Sequence, residues 1–510
     1  MSRLRGLVMA APIALLGASG CALVRPVDVT PPPPFAPPAH YVTDVPAPPP
    51  RPASGTVSPG NGGEVVPESD GAPSEPSRPH APPPGAPWWS AFADPALDDA
   101  IQEALRNNYT MRDTRTLIYE NQLDPSRPGG ILWPLQVTIP STLQHSTQLT
   151  LAENQDGSFA PAEITSDTLD VGIVASYQVD VWGKLDAHRR TLDDVIEQQR
   201  QNTEVFAQTL AEQVTQLWFE ILEQRALRDL LGTQVQYSQE LLAIVKARFE
   251  QHLVPHLAAL QQEQQLFTTQ AQVPLVTSQI AILNSRLTAL LGRIPTPSPS
   301  LVPDDRRLPD LPSVPAVGGP LDLARTSPEM HVAQARVAEA EHLVNENLAA
   351  WLPTVEAFGS ANIQWYNLAQ RYPSAAAGIR LTWPIFDGGQ RVLRAKQLEL
   401  TVQRRNWQYE LAFKSAVQRV QEALVQEQKQ TDHLKAVRAQ VDLARRVLTE
   451  ARQLFEQGLS DYLPVLTALA SLSNLERASI QAQRLLLSYR VQLYHALGGN
   501  WSASATKMDN

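Results

Sequence analysis

The 510-residue chain has one cysteine, Cys21. With no second thiol it forms no internal disulfide and completes no cysteine-based zinc site. Basic residues are in deficit, 42 Lys and Arg against 52 Asp and Glu, and the resulting charge of −10 argues against nucleic acid, whose phosphates demand basic stripes. No apolar run reaches the ~20 residues of a spanning helix. Also missing are HExxH, a phosphate loop with its Lys and Ser or Thr, and a nucleophile elbow. The chain is therefore expected to be no enzyme and to need no cofactor. The ten histidines are scattered. His252 and His256 have the i, i+4 spacing of a metal pair on one helix face, but Pro255 between them spoils regular helix, so no metal site is expected. Nothing binds nucleotide or supplies intramembrane charge pairs for proton coupling, so any transport must draw its energy from a partner.

The first 20 residues read as a secretory signal. Arg3 and Arg5 precede an apolar run from Leu7 to Leu16, and Gly17, Ala18, Ser19 and Gly20 lead to Cys21. The segment resembles a bacterial lipoprotein signal, in which the cysteine after the cut is acylated; it departs from that pattern at Ala18, where Leu is usual. From Pro31 to Pro87 the Pro, Ala, Gly and Ser mixture cannot bury enough apolar surface to fold. Residues 21–87 are expected to form an N-terminus, lipidated by the resemblance, and a tether spanning about 3.1 Å per residue where it is polyproline II.

The rest is a duplication. FEQHLVPHLAAL (249–260) recurs as FEQGLSDYLPVL (455–466), with Phe249, Glu250, Gln251, Leu253, Leu257 and Leu260 returning as Phe455, Glu456, Gln457, Leu459, Leu463 and Leu466. Met111 answers to Met330, Gly183 to Gly388, and Leu291-Gly292 to Leu497-Gly498. The expected organisation is a first repeat over 88–295, a linker over 296–320, a second repeat over 321–501 and a tail over 502–510. The segment AENQDGSFAPAE (152–163) has no counterpart in the second repeat and reads as a polar loop.

Between Gln390 and Gln457 there is neither Gly nor Pro, and Phe413, Val417, Val420 and Leu424 mark one helical face. Helices are expected over 390–457 and over its partner 185–251, each ~100 Å long at 1.5 Å per residue. Gly232 is the weak point of the partner. Return helices follow over 256–291, with a kink at Pro274, and over 463–497, so the two FEQ motifs mark hairpin tips. Four segments alternate with period two, with strands expected at about 135–149, 168–182, 354–366 and 375–386. Their apolar positions include Val171, Ile173, Tyr177, Ile363, Trp365, Ile379, Leu381 and Trp383, expected to face lipid. Phe358 breaks the alternation, and His145 falls on the apolar face. A soluble sheet packed on helices shows the same alternation, but the secretion signal and the strand length fit a membrane barrel. Four strands cannot close a barrel alone, so that reading requires several copies.

WWSAFADPALDDAIQEAL (88–105), SYQVDVWGKLDAHRR (176–190), FEQGLSDYLPVLTA (455–468) and LYHALGGNW (493–501) together resemble the outer membrane efflux family, the TolC-like channels. Within it they are closest to the lipoprotein branch serving resistance-nodulation-division pumps. The resemblance implies a mainly α fold with a β-barrel contribution: a homotrimer whose chains each give four strands to one twelve-stranded barrel and long helical hairpins to a periplasmic tunnel. It also implies a passive exit duct for small molecules such as drugs or metal ions, working with a periplasmic adaptor and an inner membrane pump. Type I protein secretion with an ABC exporter, and a non-channel scaffold lipoprotein, are the alternatives. By the resemblance the tips dock the adaptor, which makes Arg248, His252, Leu253, Val254, Gly458, Leu459, Ser460, Asp461 and Tyr462 candidate contacts. The family commonly narrows the tunnel end with acidic residues just after the turn. Here Pro464 and Thr467 occupy those positions, while Asp461 lies earlier, in the turn itself; these three are the candidate tunnel-end constriction, and closure is expected to rest on packing or another polar ring.

Overall fold

The computed structural model describes residues 87–127, 133–153, 157–295, 300–315 and 317–499. Cys21 and most of the Pro-rich tether lie outside the described residues. Two compact units divide the chain: one holds 119–198 and 333–409, the other 199–332 and 410–510 with the segment ending at Ile118.

The first unit carries an antiparallel sheet built from β1 (Gln136–Thr138), β2 (Ser141–Glu153), β3 (Phe159–Val179), β4 (Thr354–Tyr366) and β5 (Gln370–Thr382). β1 and β2 are one strand interrupted at Ile139-Pro140. Proline has no N–H to donate to a ladder, yet its carbonyl still accepts from Gly172 N at 3.0 Å, and the register continues unchanged from Thr138↔Val174 to Ser141↔Val171. β3 then pairs with β4, and β4 with β5. One edge is β1 and β2; the other is β5.

This sheet corrects the sequence reading at three places. The segment 152–163 is not all loop: β2 runs to Glu153 and β3 begins at Phe159, paired with it from that residue on. Beyond the Thr168↔Tyr366 pair β3 has only β2 beside it, so the insertion builds a two-stranded arm projecting past the β4–β5 turn. β5 starts at Gln370, ahead of the expected 375, and ends at Thr382, which leaves Trp383 just past the strand. His145, awkward on an apolar face, lies on that arm, where its Nδ1 meets Asp167 Oδ1 at 2.6 Å.

Long helices emerge from the sheet: α3 (Lys184–Glu250) after β3 and α7 (Gln390–Glu456) after β5. Shorter helices precede the strands, α1 (Pro95–Asn107) and α2 (Tyr109–Gln122) in the first repeat, α5 (Pro320–Thr326) and α6 (Pro328–Ala349) in the second. The return helices are α4 (His256–Leu290) and α8 (Leu463–Ala496). Within the strand unit α3 and α6 are joined by polar pairs, Asp194 Oδ2 with His342 Nδ1 at 2.5 Å and Gln198 with Glu339 at 2.8 Å. Among the described residues no helix is long and apolar enough to cross a membrane.

The core of the helical unit is packed around the tryptophan motif. Trp88, Trp89 and Phe92 are buried among Leu210, Val214, Trp218 and Phe219 of α3, Leu283 and Leu287 of α4, and Val491 and Tyr494 of α8. Trp88 stacks on Tyr494 with centroids 5.6 Å apart. Asp94 explains the rest of the motif: its Oδ1 caps α1 by accepting from Ala96 N at 3.1 Å, its Oδ2 accepts from Trp218 Nε1 at 3.0 Å, and Pro95 takes the first helical position.

The duplication is also visible in backbone geometry. Both return helices end in the same turn, Gly292 N donating to Ala289 O and Arg293 N to Thr288 O, Gly498 N to His495 O and Gly499 N to Tyr494 O. A Cβ on Gly292 would lie 2.3 Å from Asn107 O, and one on Gly498 would lie 2.9 Å from Ser327 Cα. Each glycine lets the end of its repeat press against the α1–α2 or the α5–α6 junction.

Two buried arginines hold the inter-repeat linker. Arg225 donates to Pro303 O and Val302 O, both at 2.7 Å. Arg490, 0% exposed, pairs bidentately with Glu427 at 2.7 Å and donates to Pro312 O at 2.5 Å and Ser313 O at 2.7 Å. Removing one partner of a buried pair leaves an uncompensated charge and costs about 3–5 kcal/mol. Arg490→Ala is expected to lose that much stability, read as a lowered chemical-denaturation midpoint, whereas exposed Arg438→Ala stays near wild type; equal midpoints for the two would refute the clamp.

Candidate functional site

Two regions carry the function-bearing residues, the strand wall and the hairpin tips. In the wall every residue pairs with one of the same parity: Val171↔Ile363↔Pro373, Tyr177↔Ala357↔Ile379 and Val179↔Val355↔Leu381 on one side, Asp170↔Gln364↔Tyr372 and Gln178↔Glu356↔Arg380 on the other. Because side chains alternate faces, the odd positions from Val171 to Val179 and their partners on β4 and β5 make one apolar surface, with Arg371 opposite Trp365 at its end, and the even ones a wet surface. Among the described residues no helix covers the apolar side, since Ile379 is 76%, Leu381 64% and Ile363 41% exposed. Ile173 and Tyr177 are exposed beside them, and Val171 and Trp365 half-buried. A protein in water would hide such a face. From Val179 to Leu169 the band is roughly 25 Å tall for strands rising 3.4 Å per residue at a barrel tilt.

Aromatic side chains stand at the helix end of this band. Trp182 Nε1 donates to Pro353 O at 2.8 Å and Trp383 Nε1 to Trp351 O at 3.2 Å; Trp182 was not singled out from sequence, although an aromatic ending an alternating run is the signal that could have found it. On the wet face Phe358, the exception in the pattern, lies over Gly378, its cross-strand partner, whose missing side chain admits the ring. Arg380 stacks on that ring at 4.8 Å and meets Glu356 at 3.2 Å.

The tips are built by one repeated turn. After α3, His252 N donates to Phe249 O and Leu253 N to Arg248 O; after α7, Gly458 N donates to Phe455 O and Leu459 N to Leu454 O. The left-handed residue of this motif is His252 at φ 58° in one copy and Gly458 at φ 74° in the other. Beneath the turns Leu241, Val245 and Ala258 of the first hairpin pack on Phe455, Tyr462 and Val465 of the second, and between them lies a cleft of about 630 Å³ lined by Arg248, Leu253, Pro255, Phe455, Ser460 and Tyr462.

The candidates for partner contact divide here. Leu253 is 64% and Leu459 72% exposed, and His252, Gly458 and Asp461 are exposed with them, while Val254 and Ser460 are half-buried. Arg248 and Tyr462 are engaged within the chain instead. Arg248 reaches across to the second hairpin, donating Nη1 to Phe455 O at 2.7 Å and Nη2 to Glu456 O, and its guanidinium lies 4.9 Å over the Phe455 ring. It thereby caps the carbonyl end of α7. Tyr462, 4% exposed, donates its hydroxyl to Gln262 Oε1; burial pushes its phenol well above the usual tyrosine range, so it remains a protonated donor. No spacing rule could have announced either contact. Pro464 and Thr467, at the positions of the family's acids, are exposed, and Thr467 Oγ1 donates to Leu463 O at 2.9 Å.

The chain matches the family model described as "Outer membrane efflux protein" over residues 139–293 and 321–499. It is 27% identical over 433 residues to the pyoverdine export outer membrane protein OpmQ of Pseudomonas putida, covering 82% of this chain and 89% of that protein. It is 24% identical over 425 residues to the probable outer membrane lipoprotein SilC of Salmonella typhimurium, covering 81% and 88%. Its fold is similar to that of the outer-membrane channel OprN, with a TM-score of 0.71 at 20% identity over 83% of this chain and 94% of that one.

The unequal turns give a test of the tip. A side chain in the left-handed region costs roughly 1–2 kcal/mol, so His252→Gly is expected to stabilise the hairpin and Gly458→Ala to destabilise it by about that amount. Amide exchange across 248–256 and 454–462 reads both, and an unchanged rate in either variant would contradict the shared turn.

Proposed function

Since the chain belongs to the outer membrane efflux protein family and is an exit duct of the outer membrane, we propose that three copies form its working unit. Each contributes four strands to one twelve-stranded barrel. The observation that carries this reading is the unbroken apolar face of a sheet with two unpaired edges. Backbone N–H and C=O groups left bare in hydrocarbon cost several kcal/mol each, and strands from further copies satisfy them. The odd residues then meet lipid and the even ones line the lumen.

In the periplasm the helical hairpins form the tunnel. Its tips, with Leu253 and Leu459 presented outward around the cleft, dock a periplasmic adaptor that links the duct to an inner membrane pump of the resistance-nodulation-division type. Cys21 carries the lipid, in keeping with the lipoprotein SilC. Small molecules pass passively, and the pump supplies the energy.

The wall is tested by a matched pair of substitutions. Ile173→Arg places a charge against lipid at a cost of roughly 2–4 kcal/mol near the midplane and is expected to abolish the heat-dissociable oligomer on unboiled gels, whereas Ser374→Arg, one row away on the lumen face, leaves it intact. Equal tolerance of both would rule out the assigned sides. Docking is tested by Leu459→Asp, expected to abolish efflux in cells while the oligomer still assembles and conducts in planar bilayers; retained efflux would remove the tip from the interface.

A further inference from the structure

The turn that joins β5 to α7 shows its largest side chains to the outside. In WPIF (383–386) Ile385 is 85% and Phe386 88% exposed, just beyond the last row of the apolar wall. The turn is nonetheless held in place. Arg391 donates to Pro384 O at 2.5 Å and to Asp387 Oδ2 at 2.6 Å, and its guanidinium lies 5.5 Å over the Trp351 ring. Asp387 also accepts from Gly389 N at 3.1 Å. A fixed turn that presents Ile and Phe uncovered among the described residues suits an apolar surrounding.

The turn from β3 to α3 repeats the arrangement. Gly183 at φ 71° and Gly388 at φ 68° close the two turns. Two residues before each glycine stands an exposed apolar side chain, Val181 in one and Phe386 in the other, and six residues after each stands an exposed arginine, Arg189 and Arg394. Both copies of the duplicated unit thus carry the same pair, one apolar and one cationic, where strand becomes helix.

Positive charge gathers here against the trend of the chain. Over 180–190 and 387–396 six Lys and Arg stand against three Asp, in a protein of net charge −10. The acids are engaged locally: Asp180 accepts from Asp186 N at 3.0 Å, Asp186 pairs with Arg189 and Arg190, and Asp387 pairs with Arg391. Arg190, Arg394 and Lys396 are exposed along with Arg189. The opposite end of the wall does not share this sign, since Asp167 and Glu163 outnumber Arg371 on its outward positions. Depth agrees as well. Helix residues five or six places in lie roughly 8–9 Å beyond the strand ends, the headgroup layer is about 5–8 Å deep on each side of the hydrocarbon, and the arginine stem spans the difference.

We propose that the two junctions form a collar that binds anionic phospholipid, with Val181, Ile385 and Phe386 seated at the acyl boundary and Arg189, Arg190, Arg394 and Lys396 meeting the phosphates. This rests on the duct reading above, in which the apolar wall faces lipid. Basic residues at a membrane surface attract anionic lipid, and apolar side chains beside them fix the depth. The chain thereby selects its lipids at the helix end of the wall and not at the arm end.

The test uses the full-length purified protein in neutral detergent micelles doped with equal amounts of phosphatidylglycerol and phosphatidylcholine, and counts by mass spectrometry the lipid that stays bound. Wild type is expected to hold phosphatidylglycerol over phosphatidylcholine by about tenfold, and by less at high salt. Arg189→Gln with Arg394→Gln lowers that preference to about twofold, while Arg438→Gln, at an exposed position farther along α7, keeps it. No preference in wild type overturns the collar, as does an equal loss with Arg438→Gln, which would mark a general effect of charge. Ile385→Ser with Phe386→Ser is expected to reduce the binding of both lipids and to leave the oligomer on unboiled gels. An oligomer lost at every lipid composition would place another copy on those side chains and overturn the collar too. Lipid counting needs no conductance, so a protein that shows the preference yet never conducts counts against the duct alone.

Discussion

The structure depends on the refusal of hydrocarbon to hydrogen-bond with a peptide. Water satisfies the bare edge of a sheet at little cost; lipid cannot. A sheet with one apolar side and two edges that lack partners is incomplete as a single chain, which is the reason further copies are proposed to complete it. That one requirement accounts for the strictly even register through all the ladders, because a slip of one residue anywhere would turn leucines into the lumen and glutamates into the lipid. It also accounts for the continuity of the strand across Pro140, where a lost donor is accommodated without a change of side.

The helical part answers to a different physics, that of packing in water. Its core is organised by Trp88, Trp89 and Phe92, inserted from outside the long helices, and by two arginines buried against the linker. Neither Arg225 nor Arg490 is there for its charge alone. Each converts main-chain carbonyls that would otherwise be stranded into acceptors of charge-assisted bonds, which lets an irregular segment lie against helices without orphaned polar groups. At the tips the same device recurs, with Arg248 satisfying the last carbonyls of α7. Arginine thus does in this chain what regular secondary structure does elsewhere.

Much of this was legible in the sequence, for reasons that can be named. The strands could be read because the pleat has period two and one side must be apolar; the hairpins could be read because Gly and Pro are absent for long stretches and the FEQ motif recurs. The misreading of 152–163 as a loop follows from composition, since Asn, Gln, Asp, Gly and Pro are loop residues by propensity, and a strong cross-strand partner overrides propensity in strands. His145 looked misplaced only because the strand was taken to end too soon. The roles of Arg248 and Tyr462 were hidden for another reason: both reach across to the other repeat, and nothing in local spacing records a contact between residues some two hundred positions apart.

The projecting β2–β3 arm has a consequence of its own. Parity in the wall is fixed where β3 meets β4, below the arm, so residues can be gained or lost at its far end without disturbing any pairing beneath. The duct and its exterior ornament are therefore free to change at different rates. A lineage under pressure from whatever recognises bacterial surfaces can redraw this outpost while the conduit under it stays as it was.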